Sequence, residues 1–129
     1  MQTRALIVDD SDLDRSTMVE GVRLAYSEAE ISEAPCGADA VEMMRGEPFN
    51  LLVTDLVMPG EIDGLKVIAH AKNVLPRIAV VVVTGERSTR PDVQKARGLG
   101  ASHLLFKPVK PEVVSRACRD AMRYRSLRE

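Results

Sequence analysis

The chain has no tryptophan, four other aromatic residues (Phe49, Phe106, Tyr26 and Tyr124), two cysteines and no long apolar run. It therefore lacks the stacking platforms that single-stranded nucleic-acid binding uses, and no segment approaches the ~20 apolar residues that span a bilayer. A formal net charge of −1 removes any bulk attraction to nucleic acid or to a membrane surface. Cys36 and Cys118 stand far apart and outside any CxxC spacing, which argues against a disulfide framework or a zinc site. Two such thiols in an aliphatic setting read as small buried hydrophobes in a reducing compartment. The opening Met1-Gln2-Thr3-Arg4 runs straight into a strand-like segment, without the apolar region and small-residue cleavage pattern of a signal peptide. A cytoplasmic protein is expected.

What is present is an aliphatic, charged chain, 45% apolar and 29% charged over 129 residues, enough for one domain covering residues 1–129 with a substantial core. Short apolar runs recur at Ala5-Leu6-Ile7-Val8, Leu51-Leu52-Val53, Ile78 to Val83 and Leu104-Leu105-Phe106, with a more polar one at Ile31 to Ala34. They are often β-branched and do not alternate, as expected of strands covered on both faces in a parallel sheet. Helical patterns lie between and after them. They show apolar faces at Met18, Val19, Val22 and Tyr26 (about Leu13 to Ser27), at Ala40, Val41 and Met44, and at Leu65, Ile68 and Ala69. A fourth helix starts near Pro91, with Val93 and Ala96 inward, and stops at Gly98 and Gly100. A fifth opens at Pro111 and carries Val113, Val114, Ala117, Cys118, Ala121 and Met122. Strand and helix thus alternate five times. Right-handed crossovers make this a doubly wound α/β fold, a five-stranded parallel sheet flanked by five helices.

In such a sheet the loops after the strands meet along one edge, where ligands bind. Asp9 and Asp10 end the first run, Asp55 ends the third, Thr84 follows Val83, and Lys107-Pro108 follows Phe106. Three carboxylates, a hydroxyl and an ammonium then converge. Taken singly, each has an ordinary structural role: helix capping for Asp9-Asp10-Ser11-Asp12, a turn for Asp55, a solvated surface for Lys107. Together they describe a site for a divalent cation and a phosphoryl group, because clustered carboxylates raise one another's pKa unless a cation sits among them. Mg2+ suits carboxylate oxygens and accepts phosphate.

The segments Leu6-Ile7-Val8-Asp9-Asp10-Ser11, Val53-Thr54-Asp55-Leu56-Val57-Met58-Pro59, Val82-Val83-Thr84-Gly85 and Phe106-Lys107-Pro108 closely resemble the receiver domains of two-component response regulators, of the chemotaxis-regulator type. The resemblance covers essentially the whole chain and implies a flavodoxin-like strand order 2-1-3-4-5. It implies that Asp55 takes a phosphoryl group from a sensor histidine kinase or phosphotransfer protein. It further implies that Asp10, Asp55 and the Val57 carbonyl bind Mg2+ directly and Asp9 through water, and that Thr84 and Lys107 engage phosphoryl oxygens. The Lys107-Pro108 peptide resembles one that is cis in the family, and a cis bond is accessible there because proline follows. The small Gly85 leaves the pocket open to a phosphohistidine. Phosphorylation would shift a two-state equilibrium read on the face of the fourth helix, fifth strand and fifth helix: Arg90 to Leu99, His103 to Phe106, and Pro111 onward. Downstream, the family pattern implies an effector protein or fused output domain and phosphorylation-dependent dimerisation. The sequence stops at Glu129 without an output domain, as a stand-alone regulator or a segment of a longer one would.

Two positions depart from the family pattern. Leu104 stands three residues before the lysine, where Tyr or Phe is usual, so an aromatic readout is in doubt; Phe106 shares its strand face by parity. The loop Met58-Pro59-Gly60-Glu61-Ile62-Asp63-Gly64 has one residue more than the usual form, which loops accept at low cost. Val57 and Glu86 flank the pocket and could tune dephosphorylation. The Arg-rich end (Arg116, Arg119, Arg123, Arg125, Arg128) reads as a solvated helix terminus before it reads as a nucleic-acid surface. His70 is expected on the surface, and His103 opens a strand beside the switch position. A purely structural, never phosphorylated interaction module is one competing reading. An aspartyl-phosphate phosphohydrolase, a class with a DxD nucleophile motif early in the chain, is another, disfavoured because here the early pair Asp9-Asp10 is adjacent and the presumed nucleophile, Asp55, stands at the third strand. A dinucleotide-binding domain is disfavoured because no GxGxxG follows the first strand.

Overall fold

The computed structural model of the protein describes residues 2–85 and 87–127; Glu86 and Arg128 lie outside them. In chain order the elements are β1 (Arg4–Val8), α1 (Asp12–Ala25), β2 (Glu30–Ala34), α2 (Gly37–Gly46), β3 (Leu51–Thr54), α3 (Gly64–Val74), β4 (Ala79–Thr84), α4 (Arg90–Gly98), β5 (His103–Phe106) and α5 (Pro111–Leu127). The strands form one sheet in the order β2-β1-β3-β4-β5, and all four pairings are parallel.

The apolar runs lack alternation because both faces of the sheet are covered. Leu6, Val8, Leu52, Val80 and Val82 face a layer built from α2, α3 and α4. Ala5, Ile7, Leu51, Val53, Val81 and Val83 face α1 and α5. Each fully buried Leu, Ile or Val contributes about 1.5–3 kcal/mol of hydrophobic stabilisation. The edge strand β2 is more exposed than β1 and β3, in line with its polar sequence.

Helix phase differs from the sequence reading at two places. In α3 the buried face is Gly64, Val67, Ile68 and Ala71, and Ala69 is exposed. In α5 Val114, Ala117, Cys118 and Ala121 are buried, while Val113 is 43% exposed. Both faces follow strict i, i+3, i+4, i+7 spacing, and Ala69 and Val113 each fall one residue off it. Cys36 is only half-buried, at the N-cap of α2, whereas burial pushes the Cys118 thiol up to about 12. His70 is half-buried, with Nε2 shielded from solvent.

Local chemistry fixes the helix starts near the site. The Ser11 hydroxyl accepts from Asp14 N at 3.2 Å, Asp63 accepts from Lys66 N at 3.0 Å, and Thr89 and Asp92 form a reciprocal capping box. That box sets the start of α4, with Pro91 in its first turn. The longer β3–α3 loop absorbs its additional residue outward. Gly60 has φ 100° and open space around it, Gly60 and Glu61 are exposed, and Ile62 returns to pack against the core.

Candidate functional site

Parallel strands direct β1, β3, β4 and β5 to one edge, and the site residues stand at or just past their C-terminal ends. Asp9 is fully buried, Asp55 and Thr84 are buried, and Asp10 is exposed. Each of Asp9, Asp10 and Asp55 offers a carboxylate oxygen within 4.8 Å of the others.

Asp55 is held by both oxygens. Its Oδ1 accepts from Leu56 N at 2.6 Å, from Val57 N at 3.3 Å and from the Thr84 hydroxyl at 2.7 Å. Its Oδ2 accepts from Lys107 Nζ at 2.9 Å, which leaves that oxygen more lone-pair capacity for a cation or an electrophile. The backbone carrying Asp55 is itself fixed. Asp55 N donates to Val8 O at 3.0 Å, Gly64 N donates to Leu56 O at 2.9 Å, and the Thr54 hydroxyl donates to Asp55 O at 2.8 Å.

Lys107 supplies the internal positive charge. Its ammonium lies 2.8 Å from Asp9 Oδ2, 2.9 Å from Asp14 Oδ2 and 2.9 Å from Asp55 Oδ2. Burial works against its charge, but the three carboxylates outweigh that and raise its pKa. The Lys107-Pro108 peptide is cis. For Asp9 the balance is the reverse: burial raises its carboxyl above the ordinary value, although Lys107 and the Ser11 amide pull it down. Arg15 braces the β1–α1 loop, donating to Asp9 O at 2.8 Å and pairing with Asp12 and Glu33.

Asp9, Asp10, Asp55, Thr84 and Lys107, expected from the sequence to converge, stand together. Two further groups were missed. Asp14, in the first turn of α1, reaches Lys107. Arg87 donates weakly, at 3.4 Å, to the Val57 carbonyl, the oxygen expected to face a metal. Leu104 is half-buried and packs on the α2–α4 side of the sheet. Phe106, on the same strand face, is 56% exposed. A separate concavity of about 900 Å³, lined by Lys72, Arg77, Arg97, His103 and Asp120 among others, contains none of the site carboxylates.

Residues 5–119 match the family described as the response regulator receiver domain. The two-component response regulator ORR5 of Oryza sativa subsp. japonica is 34% identical over 122 residues, covering 92% of this chain and 87% of that protein. The transcriptional regulatory protein GlrR of Escherichia coli K12 is 30% identical over 102 residues, 79% of this chain but 22% of that protein. Among solved structures, a CheY-like receiver domain protein from Methanospirillum hungatei JF-1 superposes over the whole of both chains with a TM-score of 0.88 at 20% identity. The chain belongs to the receiver domain family of two-component response regulators. Proteins of this family act generally as phosphoacceptor switches that work with histidine kinases or phosphotransfer proteins and with output domains, and they bind Mg2+ at an acidic site. No helix among the described residues is long and apolar enough to cross a membrane.

Proposed function

We propose that residues 1–129 act as one phosphorylation-activated signalling switch whose phosphoacceptor is Asp55. The observation that carries this reading is the Asp55 carboxylate itself. It is buried at a strand end, with a hydroxyl at 2.7 Å and an ammonium at 2.9 Å and with two further carboxylates close by. The donor is a phosphohistidine of a sensor kinase or phosphotransfer protein. A lone pair of Asp55 attacks phosphorus and the P–N bond breaks. The electron pair leaves with the imidazole nitrogen, which takes up a proton, and Asp55 is left as an acyl phosphate. Phosphoryl transfer of this kind needs positioning and neutralised charge more than covalent work from the protein.

The donor set fits Mg2+: it is all hard oxygen, it carries excess negative charge, and Asp10 opens to solvent, where the ion can keep its waters. Asp10, Asp55 and the Val57 carbonyl would hold it directly and Asp9 through water. When bound it neutralises charge between the anionic nucleophile and the anionic donor. Arg87 donates to the Val57 carbonyl only weakly, at 3.4 Å, which leaves that oxygen a second lone pair for the ion. Lys107 and the Thr84 hydroxyl then donate to phosphoryl oxygens, and the inward pull on Thr84 favours the second conformation of the α4-β5-α5 face. That face, Arg90 to Leu99, His103 to Phe106 and Pro111 onward, would engage an effector protein or a fused output domain. The partner is a protein, not nucleic acid or membrane, the setting is cytoplasmic, and dimerisation on phosphorylation belongs to the same reading. The role is regulatory, so no sustained turnover of a phosphoester is expected.

The test is intact mass after incubation with acetyl phosphate and Mg2+, beside Asp55→Asn and EDTA controls. One hydroxylamine-labile phosphoryl adduct that requires both Asp55 and Mg2+ is expected. Absence of the adduct both with acetyl phosphate and with a panel of phosphorylated kinases would replace this reading with a receiver-like interaction module.

A further inference from the structure

A lysine ammonium has three N–H bonds and no more. In this protein three carboxylates crowd that ammonium: Asp9 and Asp55, which belong to the site above and accept hydrogen bonds from it, and Asp14, which does not belong to the site and forms an ion pair with it at 2.9 Å. Asp14 lies outside the carboxylate cluster suited to a cation. Its side chain is 40% exposed, against 0% for Asp9 and 4% for Asp55. Of the three carboxylates it is therefore the one that water can most readily replace. A phosphoryl oxygen arriving at Lys107 is a fourth anionic neighbour for one ammonium with three N–H bonds, so one existing contact must yield.

We propose that Asp14 is a positioning residue that holds the Lys107 ammonium by an ion pair while Asp55 is unmodified and surrenders it to the phosphoryl group. The proposal rests on Asp55 being the phosphoacceptor. Asp14 then has two opposed effects. In the unmodified protein it adds negative charge beside the acidic cluster and draws Lys107 partly away from Asp9 and Asp55, both of which favour the binding of Mg2+. Once a phosphoryl group is present, Asp14 competes with it for Lys107 and repels it.

The signs give a test that a merely structural role would not pass. On the full chain, Mg2+ affinity is measured by calorimetry. Affinity for beryllium fluoride, a non-covalent phosphoryl mimic, is measured by fluorine NMR at saturating Mg2+. Asp14→Asn is expected to weaken Mg2+ binding and tighten beryllium fluoride binding, each by roughly two- to fivefold, the range a part-exposed ion pair supports. Asp12→Asn is the control. Asp12 shares the same first turn and pairs with Arg15 rather than Lys107, so it should change both affinities by less than Asp14→Asn does. Asp14→Ser serves if Asp14→Asn does not fold. Affinities that fall together, or that match Asp12→Asn, overturn the proposal. If the unaltered protein fails to take beryllium fluoride, the phosphoacceptor reading falls separately. The Lys107 Nζ resonance then decides the positioning role: it must shift in Asp14→Asn and stay in place in Asp12→Asn, and an unmoved signal in both overturns it.

Discussion

Gly64 is where the fold presses hardest on the chemistry. It opens α3, and its missing side chain lets that helix start against the segment that carries Asp55. A Cβ at Gly64 would lie 1.9 Å from the Asp55 carbonyl oxygen, 2.6 Å from Leu56 Cα and 2.8 Å from the Asp55 carbonyl carbon. All three are backbone atoms, so no rotamer change relieves the overlap. To restore a 3.0 Å contact, the Asp55-Leu56 backbone or the start of α3 must retreat by about 1 Å. That movement loads the Gly64 N–Leu56 O bond of 2.9 Å and the Leu56 N–Asp55 Oδ1 bond of 2.6 Å. Overpacking costs about 1–3 kcal/mol, and a clash against backbone belongs at the upper end. Alanine regains about 0.4–1 kcal/mol by restricting the unfolded chain. The net expectation for Gly64→Ala is a loss of about 2 kcal/mol, a Tm lower by about 6–10 °C in a chain of this size.

The same shift displaces Asp55, the proposed nucleophile. A misplacement of about 1 Å at a reacting group lowers a rate by about 10²-fold, so phosphoryl uptake from acetyl phosphate should fall by that order at a temperature where the variant is folded. Thermal and urea unfolding with timed mass spectrometry reads both effects. Gly98→Ala is the internal control. Gly98 lies in α4 with nothing within 4 Å of a built Cβ, so alanine there should stabilise by about 0.5–1 kcal/mol. A Gly64→Ala protein as stable as Gly98→Ala, or one that keeps full phosphoryl uptake, would refute the argument that this glycine clears space for Asp55.

Because burial raises the Asp9 carboxyl, the contribution of its neutral form to stability is complete below the unfolded value of 3.8 and lost as pH rises through the folded value. Asp9→Asn should therefore raise the metal-free Tm at neutral pH by about 3–5 °C, the equivalent of about 1 kcal/mol. That gain should shrink as pH falls toward 3.8; a variant that melts below the unaltered protein at pH 7 contradicts this. With a neutral thiol reagent, half-buried Cys36 should react quickly and fully buried Cys118 only on unfolding, so two fast thiols per native chain would contradict the packing of α5. Leu104→Tyr should enlarge the chemical-shift changes that beryllium fluoride induces across α4 and β5, and an unchanged response would remove the idea that Leu104 weakens coupling to the output face.

The core of this fold was legible because it is written twice, once as non-alternating aliphatic runs and once as charged groups set where those runs stop. A parallel sheet brings the strand ends together, so Asp9, Asp10, Asp55, Thr84 and Lys107 could be associated without knowing any side-chain direction. Helix phase was less legible. Ala69 and Val113 are apolar residues adjacent to a buried stripe, and composition alone does not say which neighbour is inside. Asp14 is the instructive omission. The acidic segment Asp12-Leu13-Asp14 offers two carboxylates, and both look like ordinary first-turn residues complementing the helix dipole. The distinction lies in the rotation of α1. Met18 and Val22 are fully buried, and residues four apart share a helix face, so the line through them passes back to Asp14. Asp12 and Leu13 fall off that line, and both are exposed, Leu13 at 77%. The face that buries Met18 and Val22 thus also turns Asp14 toward Lys107. The first turn of α1 is therefore set by the core and read by the site, which couples the register of a hydrophobic stripe to the charge balance around Asp55.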